Sequence, residues 1–190
     1  MTILVDLDHV LVNTGDAWVE ALNERHGTTV KYDDITEWDV SKFFPTLSRD
    51  EVYEPLVSGE VWSRVSPVRG ARETLEKIIA DGHEVYIATA SSLDTIGKKW
   101  NEVIQKYYPM IPYDHVIVAH RKQMIVADVL IDDAPFNLDG GKYFSILFDA
   151  PHNRDDREHT RAHDWDEVYS VINTIENLMK RFNNRMEEDF

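Results

Sequence analysis

The chain contains no cysteine, which excludes disulfides and thiolate metal sites and fits a reducing compartment. Basic residues are scarce: 20 Lys and Arg stand against 35 Asp and Glu, a formal charge of −15 at pH 7. That sign argues against a nucleic-acid polymer as partner. A small phosphorylated molecule stays admissible where a cation and local Lys or Arg reverse the field. No apolar stretch approaches the ~20 residues that a membrane span requires. The N-terminus lacks a basic segment followed by a cleavable apolar run, so no secretory signal is expected and a cytoplasmic location is.

What is present suffices for one domain of ordinary size. Its 190 residues are 43% hydrophobic, enough for a core with room for a small insertion. Apolar runs at residues 2–7, 84–88, 115–119, 129–131 and 144–148 read as strands. Helical spacing marks residues 15–25 (Trp18, Val19, Leu22), 71–80 (Leu75, Ile78, Ile79), 94–107 (Ile96, Trp100, Val103, Ile104) and 165–182 (Val168, Ile172, Ile175, Met179). Ser48-Arg-Asp-Glu51 is a capping-box pattern that should open a further helix to about Val57, with Gly59 beyond it; Gly82 is the expected stop of the 71–80 helix. Strands alternating with helices predict an α/β fold, a Rossmann-like parallel sheet with helices on both faces. Residues 14–65 break the alternation. The expected organisation is therefore a core of residues 1–13 and 66–190, with a small, mainly helical cap at 14–65.

The run ILVDLDHVLVN, from Ile3 to Asn13, is apolar enough for a buried strand yet carries Asp6 and Asp8 in its middle. Residues two apart in an extended chain point the same way, so both carboxylates would share one face, unfavourably unless a cation or proton intervenes. In an open parallel sheet, sites form at the carboxyl ends of the strands. Asp6 and Asp8 follow the first strand, Thr89-Ala90-Ser91 the second, Arg121 and Lys122 the third, and Asp132 and Asp133 the fourth.

That set has a chemical use. Three carboxylates near a point suit Mg²⁺, which would screen the repulsion between an attacking carboxylate and a phosphate dianion. Asp6 could then form an aspartyl-phosphate, while Asp8 protonates the leaving alkoxide and later activates water. Thr89, with the backbone N–H groups of Ala90 and Ser91, would hold phosphoryl oxygens, and Lys122 would neutralise charge in the transition state. In so acidic a chain, either acidic pair alone is more often a solvated loop or a helix cap. Their joint placement after apolar strands, with Thr and Lys between, favours catalysis.

Other residues admit two readings. Trp38, Phe43, Phe44 and Trp62 could stack on a nucleobase as a substrate pocket, or equally could supply the cap's own small core. Arg69, Lys98 and Lys99 could approach a phosphate, though such residues are more often solvated helix surface. His159 and His163, flanked by Asp155, Asp156 and Asp164, are conceivable metal ligands; a polar loop with Asp164 capping the last helix is the better reading. Glu187-Glu188-Asp189 reads as a frayed, solvated end.

VDLDHV, IATAS, Lys122 and LIDD, in that order and on those elements, resemble the haloacid dehalogenase superfamily of phosphohydrolases. Within it, RKQMIVADVLIDDAPFN, FDAPHN, HDWDEV and VSPVRGA resemble the cytosolic and mitochondrial 5′(3′)-deoxyribonucleotidases. The resemblance spans nearly the whole chain and is thin between Thr28 and Val61. It implies Asp6 as nucleophile, Asp8 as acid and base, and Thr89 and Lys122 as phosphate ligands. It also implies magnesium on the Asp6 carboxylate, the Asp8 main-chain carbonyl and Asp133, with Asp132 behind them or touching a metal-bound water. His9 stands where the family usually has Gly, and Ala90-Ser91 where animal relatives have Ser-Pro. The expected substrates are nucleoside monophosphates. Rival readings are a phosphatase of sugar phosphates and a non-catalytic phosphate- or nucleotide-binding module. The resemblance also admits a homodimer, for which the sequence itself offers no interface.

Overall fold

The computed structural model describes residues 1–188. Its strands, in chain order, are β1 (Thr2–Val5), β2 (Glu84–Thr89), β3 (Val116–Val118), β4 (Val129–Asp132), β5 (Phe144–Phe148) and β6 (Thr160–Ala162). They lie side by side as β3-β2-β1-β4-β5-β6, with every neighbouring pair parallel. From β1 the chain builds outward through β2 and β3, then returns to β1's other side to add β4, β5 and β6. The carboxyl ends of β1 and β4 therefore flank the point where the winding reverses, which is where a crevice opens in such sheets.

Register sets what meets there. Val5 lies opposite both Ile87 and Ile131, so the residues after each arrive level with one another. The Asp6 N–H donates to the Ile131 carbonyl at 2.9 Å, carrying the ladder one step past β1. Strand alternation sends Ile3, Val5, Val85, Ile87, Val129 and Ile131 into one core, and Leu4, Ala88, Leu130 and Leu147 to the opposite face.

The helices are α1 (Thr14–His26), α2 (Arg49–Ser58), α3 (Ala71–Ala80), α4 (Leu93–Lys98), α5 (Gln105–Tyr107), α6 (Pro135–Leu138) and α7 (Trp165–Glu188). A π-helical stretch, Lys99–Ile104, joins α4 to α5. Leu75 and Ile78 of α3, Val103 and Ile104, and Val168 and Ile172 of α7 cover the first face, while Leu138 of α6 packs on the second. Helices thus lie on both faces, as the alternation predicts. Short 3₁₀ turns (Tyr32–Asp34, Val40–Phe43, Val61–Ser63) separate the helices between β1 and α3. The capping box forms: Glu51 accepts from the Ser48 N–H at 2.8 Å while the Ser48 hydroxyl accepts from the Glu51 N–H at 3.3 Å, and Gly59 closes α2 at φ 80°.

Three features differ from the expectation. Strand β6 was not foreseen, because three residues (TRA) with only Ala162 buried carry no readable period. The 94–107 helix is not uniformly α. The last helix runs on to Glu188, so Glu187 and Glu188 belong to it, and Asp189 lies outside the described residues. Among the described residues no helix is long and apolar enough to cross a membrane.

Trp165 pins α7 to the loop after β1. Its side chain is buried against Phe148, and its indole N–H donates to the Val10 carbonyl at 3.1 Å. Trp165→Ala should lower stability by about 3–5 kcal/mol in urea unfolding; a loss no larger than that of a surface substitution would contradict this packing.

Candidate active site

The register brings Asp6, Asp132 and Asp133 together, each offering a carboxylate oxygen within 4.8 Å of the others. All three are buried. Burial raises Asp6 well above the usual carboxylate range; Lys122 opposes the shift, while Asp132, Asp8 and Asp133 add to it. Burial raises Asp132 as well, again against Lys122. Lys122 answers this crowding: its Nζ lies 2.6 Å from Asp6 Oδ1 and 2.5 Å from Asp132 Oδ2. Burial alone would depress this lysine, but the two carboxylates outweigh it and hold the ammonium charged.

The acids are not equally satisfied. Asp132 also accepts from the Ala134 N–H at 2.9 Å and from Asn137 Nδ2 at 3.1 Å on each oxygen. Asp133 Oδ2 is buried and accepts no hydrogen bond; His152 Nε2 stands 3.0 Å away without hydrogen-bond geometry. An orphaned buried oxygen beside two further carboxylates fits a hard cation that takes oxygen ligands.

A second lysine serves the second acid. Lys99 Nζ lies 2.5 Å from Asp8 Oδ2, and donates to Thr89 Oγ1 at 3.0 Å and the Ala90 carbonyl at 3.2 Å. Thr14 donates to Asp8 Oδ1 at 2.9 Å, and Thr89 to Oδ2 at 3.4 Å. Burial would raise Asp8, but the charge and hydrogen bond of Lys99, with His9 and the Thr14 hydrogen bond, together outweigh it, so this carboxyl sits below its ordinary value. Lys99 is itself buried and stands 4.6 Å over the Trp62 ring. It opens the π-helical stretch, an irregularity that recurs at functional sites.

Above these groups lies a cavity of about 560 Å³, within the range of small-molecule sites. Asp6, Asp8, Asp133 and Lys122 reach it, as do Ala90 and Ser91. Trp38 and Trp62 stand in its wall. Phe43 and Phe44 do not: Phe44 is fully buried and Phe43 packs against the same core. The aromatic set thus divides, two residues for the cavity and two for packing.

Of the other candidates, Arg69 and Lys98 are exposed, and Lys98 donates to the Ser58 carbonyl. His159 contacts Asp156 and Asp139, His163 contacts Glu167, and Asp164 accepts from the Glu167 N–H at 2.9 Å as a helix cap. Among the described residues, only Asp6, Asp132 and Asp133 form a group that could hold a metal. Lys99, expected more often as solvated helix surface, is instead buried on Asp8, and the sequence does not single out Tyr32 or His152. Lys99 follows Ile96 by three residues and so shares the inner face, a signal its charge conceals; Tyr32 and His152 reach the site only through long-range packing.

Known proteins share this chain's pattern. The model of the family described as 5′ nucleotidase, deoxy (pyrimidine), cytosolic type C protein (NT5C) matches residues 1–181. The chain is 31% identical over 168 residues to the 5′(3′)-deoxyribonucleotidase of Bacillus subtilis, covering 87% of this chain and 95% of that protein. It is 29% identical over 178 residues to the 5′(3′)-deoxyribonucleotidase of Clostridium acetobutylicum, covering 94% and 98%. Among solved structures, a HAD family hydrolase from Deinococcus radiodurans with bound phosphate and sodium aligns at a TM-score of 0.63 and 16% identity, over 92% of this chain and 95% of that one. A haloacid dehalogenase-like hydrolase from Streptococcus pneumoniae aligns at 0.60 and 15%, over 90% and 97%. These two likenesses bear on the fold.

Lys122→Met strips the buried Asp6 and Asp132 of their shared cation and should cost about 3–5 kcal/mol of stability near neutral pH. Both carboxyls then titrate above their unfolded values. The loss should therefore shrink as pH falls from the raised folded values toward the ordinary carboxylate range. Urea unfolding at several pH values tests this; a loss independent of pH would contradict it.

Proposed function

Because the chain belongs to the family of cytosolic type C 5′ nucleotidases, we propose that it is a magnesium-dependent phosphomonoesterase releasing nucleoside and inorganic phosphate from deoxyribonucleoside monophosphates. One observation carries the chemical part: the Asp6 carboxylate reaches a cavity of about 560 Å³ beside the orphaned Asp133 oxygen, with Lys122 on its Oδ1. The names of the curated relatives support the substrate class.

Lys122 occupies Asp6 Oδ1, which leaves Oδ2 as the attacking atom. That oxygen bonds to phosphorus as the P–O bond to the sugar breaks, giving an aspartyl-phosphate and an alkoxide. Lys99 keeps Asp8 ionised in the free site; as the phosphate's negative charge arrives beside it Asp8 takes up a proton from water, and gives that proton to the alkoxide. The same carboxylate then takes a proton from water as the water oxygen attacks phosphorus, restoring Asp6 and releasing phosphate. Thr14 and Thr89 keep Asp8 aimed through both steps. Ala90 and Ser91 line the cavity, where their main-chain N–H groups would donate to phosphoryl oxygens.

Magnesium, held by the Asp6 and Asp133 carboxylates and the Asp8 main-chain carbonyl, would screen the negative charge that phosphate brings toward Asp6. Asp132, already satisfied by Lys122, Ala134 and Asn137, acts by fixing Lys122. Residues 14–65 serve as the cap, placing Trp38 and Trp62 where a nucleobase can stack and excluding bulk water from the reacting groups.

Phosphate release from nucleoside monophosphates and sugar phosphates, with Mg²⁺ and with EDTA, tests the reading. Deoxyribonucleotides should be preferred, EDTA should abolish turnover, and Asp6→Asn should lower kcat by at least about a thousandfold. Turnover confined to sugar phosphates would discard the substrate assignment. Full activity of Asp6→Asn would discard the mechanism.

A further inference from the structure

Among the described residues, His9 is the only non-glycine residue with positive φ, at 61°. That conformation is unfavourable for a side chain bearing Cβ, and a residue held in it beside reacting groups directs attention to function. His9 directly follows Asp8, and its ring lines the cavity.

The ring is fixed from two sides. It stacks on Tyr32 with centroids 5.4 Å apart and planes 15° from parallel, and meets His152 edge-on at 5.6 Å. Its Nδ1 is hydrogen-bonded to the Tyr32 hydroxyl at 2.8 Å. Tyr32 fits there only because residue 15 is glycine, since a Cβ at Gly15 would overlap the Tyr32 ring. His152 is set in turn by Trp38, edge-on at 5.1 Å, and by Asp133. No protein group partners His9 Nε2 among the described residues. A strained backbone, a ring held by stacking and by one nitrogen, and a second nitrogen left to the cavity describe a group aimed at a ligand.

We propose that His9 is a substrate-contacting residue whose Nε2 hydrogen-bonds a sugar hydroxyl of the nucleotide. This rests on the nucleotidase reading given above. Asp8 serves the oxygen that leaves phosphorus, and His9 adjoins it in the chain and lines the same cavity. A hydroxyl both donates and accepts, and so satisfies Nε2 whichever ring nitrogen carries the proton. Tyr32 acts through His9 as a positioning residue.

The test compares kcat/KM of the full-length wild type, His9→Gly, His9→Asn and Tyr32→Phe on three esters. These are a deoxyribonucleoside 5′-monophosphate, its 2′,3′-dideoxy analogue and phenyl phosphate. The wild type should prefer the hydroxylated nucleotide over the dideoxy analogue by about tenfold, and His9→Gly should erase most of that preference. His9→Asn, which tolerates positive φ and keeps a polar side chain, should recover part of it. Tyr32→Phe should lower it by a smaller factor than His9→Gly. Equal losses on all three esters would make His9 a structural latch between the first loop and Tyr32 and overturn the proposal; so would an unchanged preference. A wild type that hydrolyses phenyl phosphate but no nucleotide would overturn the nucleotidase reading and this inference with it. A wild type active on nucleotides with no hydroxyl preference would overturn this inference alone.

Discussion

The Lys122 ammonium between Asp6 and Asp132 is the contact on which the rest of the site depends. Two like charges about 4 Å apart repel by about 4 kcal/mol at the effective dielectric of a protein edge, and Asp6, Asp132 and Asp133 each offer a carboxylate oxygen within 4.8 Å of the others. Lys122 removes part of that cost, and Lys99 does the same for Asp8. Four carboxylates and two ammonium groups still leave two negative charges when all are ionised, the complement of one divalent cation. In a chain of net charge −15 these grouped carboxylates suit a cation, and no basic surface is needed to admit a phosphate beside it.

The sheet makes that crowding possible. Only a strand order that reverses at β1 sets the ends of β1 and β4 side by side, and only parallel register sets Asp6 level with Asp132. Side chains from the helices and turns after β1 then wall the space above. The distribution of aromatics there follows burial: Phe44 fills the core, whereas Trp38 and Trp62 meet the cavity. The strained His9 sits at the junction, bonded to Tyr32 on one side and adjoining Asp8 in the chain on the other.

Much of this was legible in the sequence for a definite reason. Apolar runs give the strands, and chain order then assigns Asp6, Asp8, Thr89, Lys122, Asp132 and Asp133 to strand ends without knowledge of any contact. What lay beyond reach needed distance rather than order. Lys122 was expected to meet phosphate, yet its bonds to two aspartates depend on register between β1 and β4. Tyr32 and His152 come to His9 from distant parts of the chain; His152 lies in the FDAPHN segment, but the resemblance gave it no role. Aromatic type alone could not separate Trp38 and Trp62 from Phe43 and Phe44. Strand β6 is too short, and too polar at Thr160 and Arg161, to announce itself.

The central claim is that Asp6, relieved of its neighbours' charge, takes the phosphoryl group onto its own carboxylate. Acid-quenching the enzyme during turnover of a deoxyribonucleotide with Mg²⁺, followed by peptide mass analysis, tests it most directly. The account predicts a phosphoryl group on the peptide carrying Asp6, absent from substrate-free controls and from Asp6→Asn. Rapid turnover with no phosphorylated peptide at any quench time, in an enzyme that keeps its activity as Asp6→Asn, would contradict it.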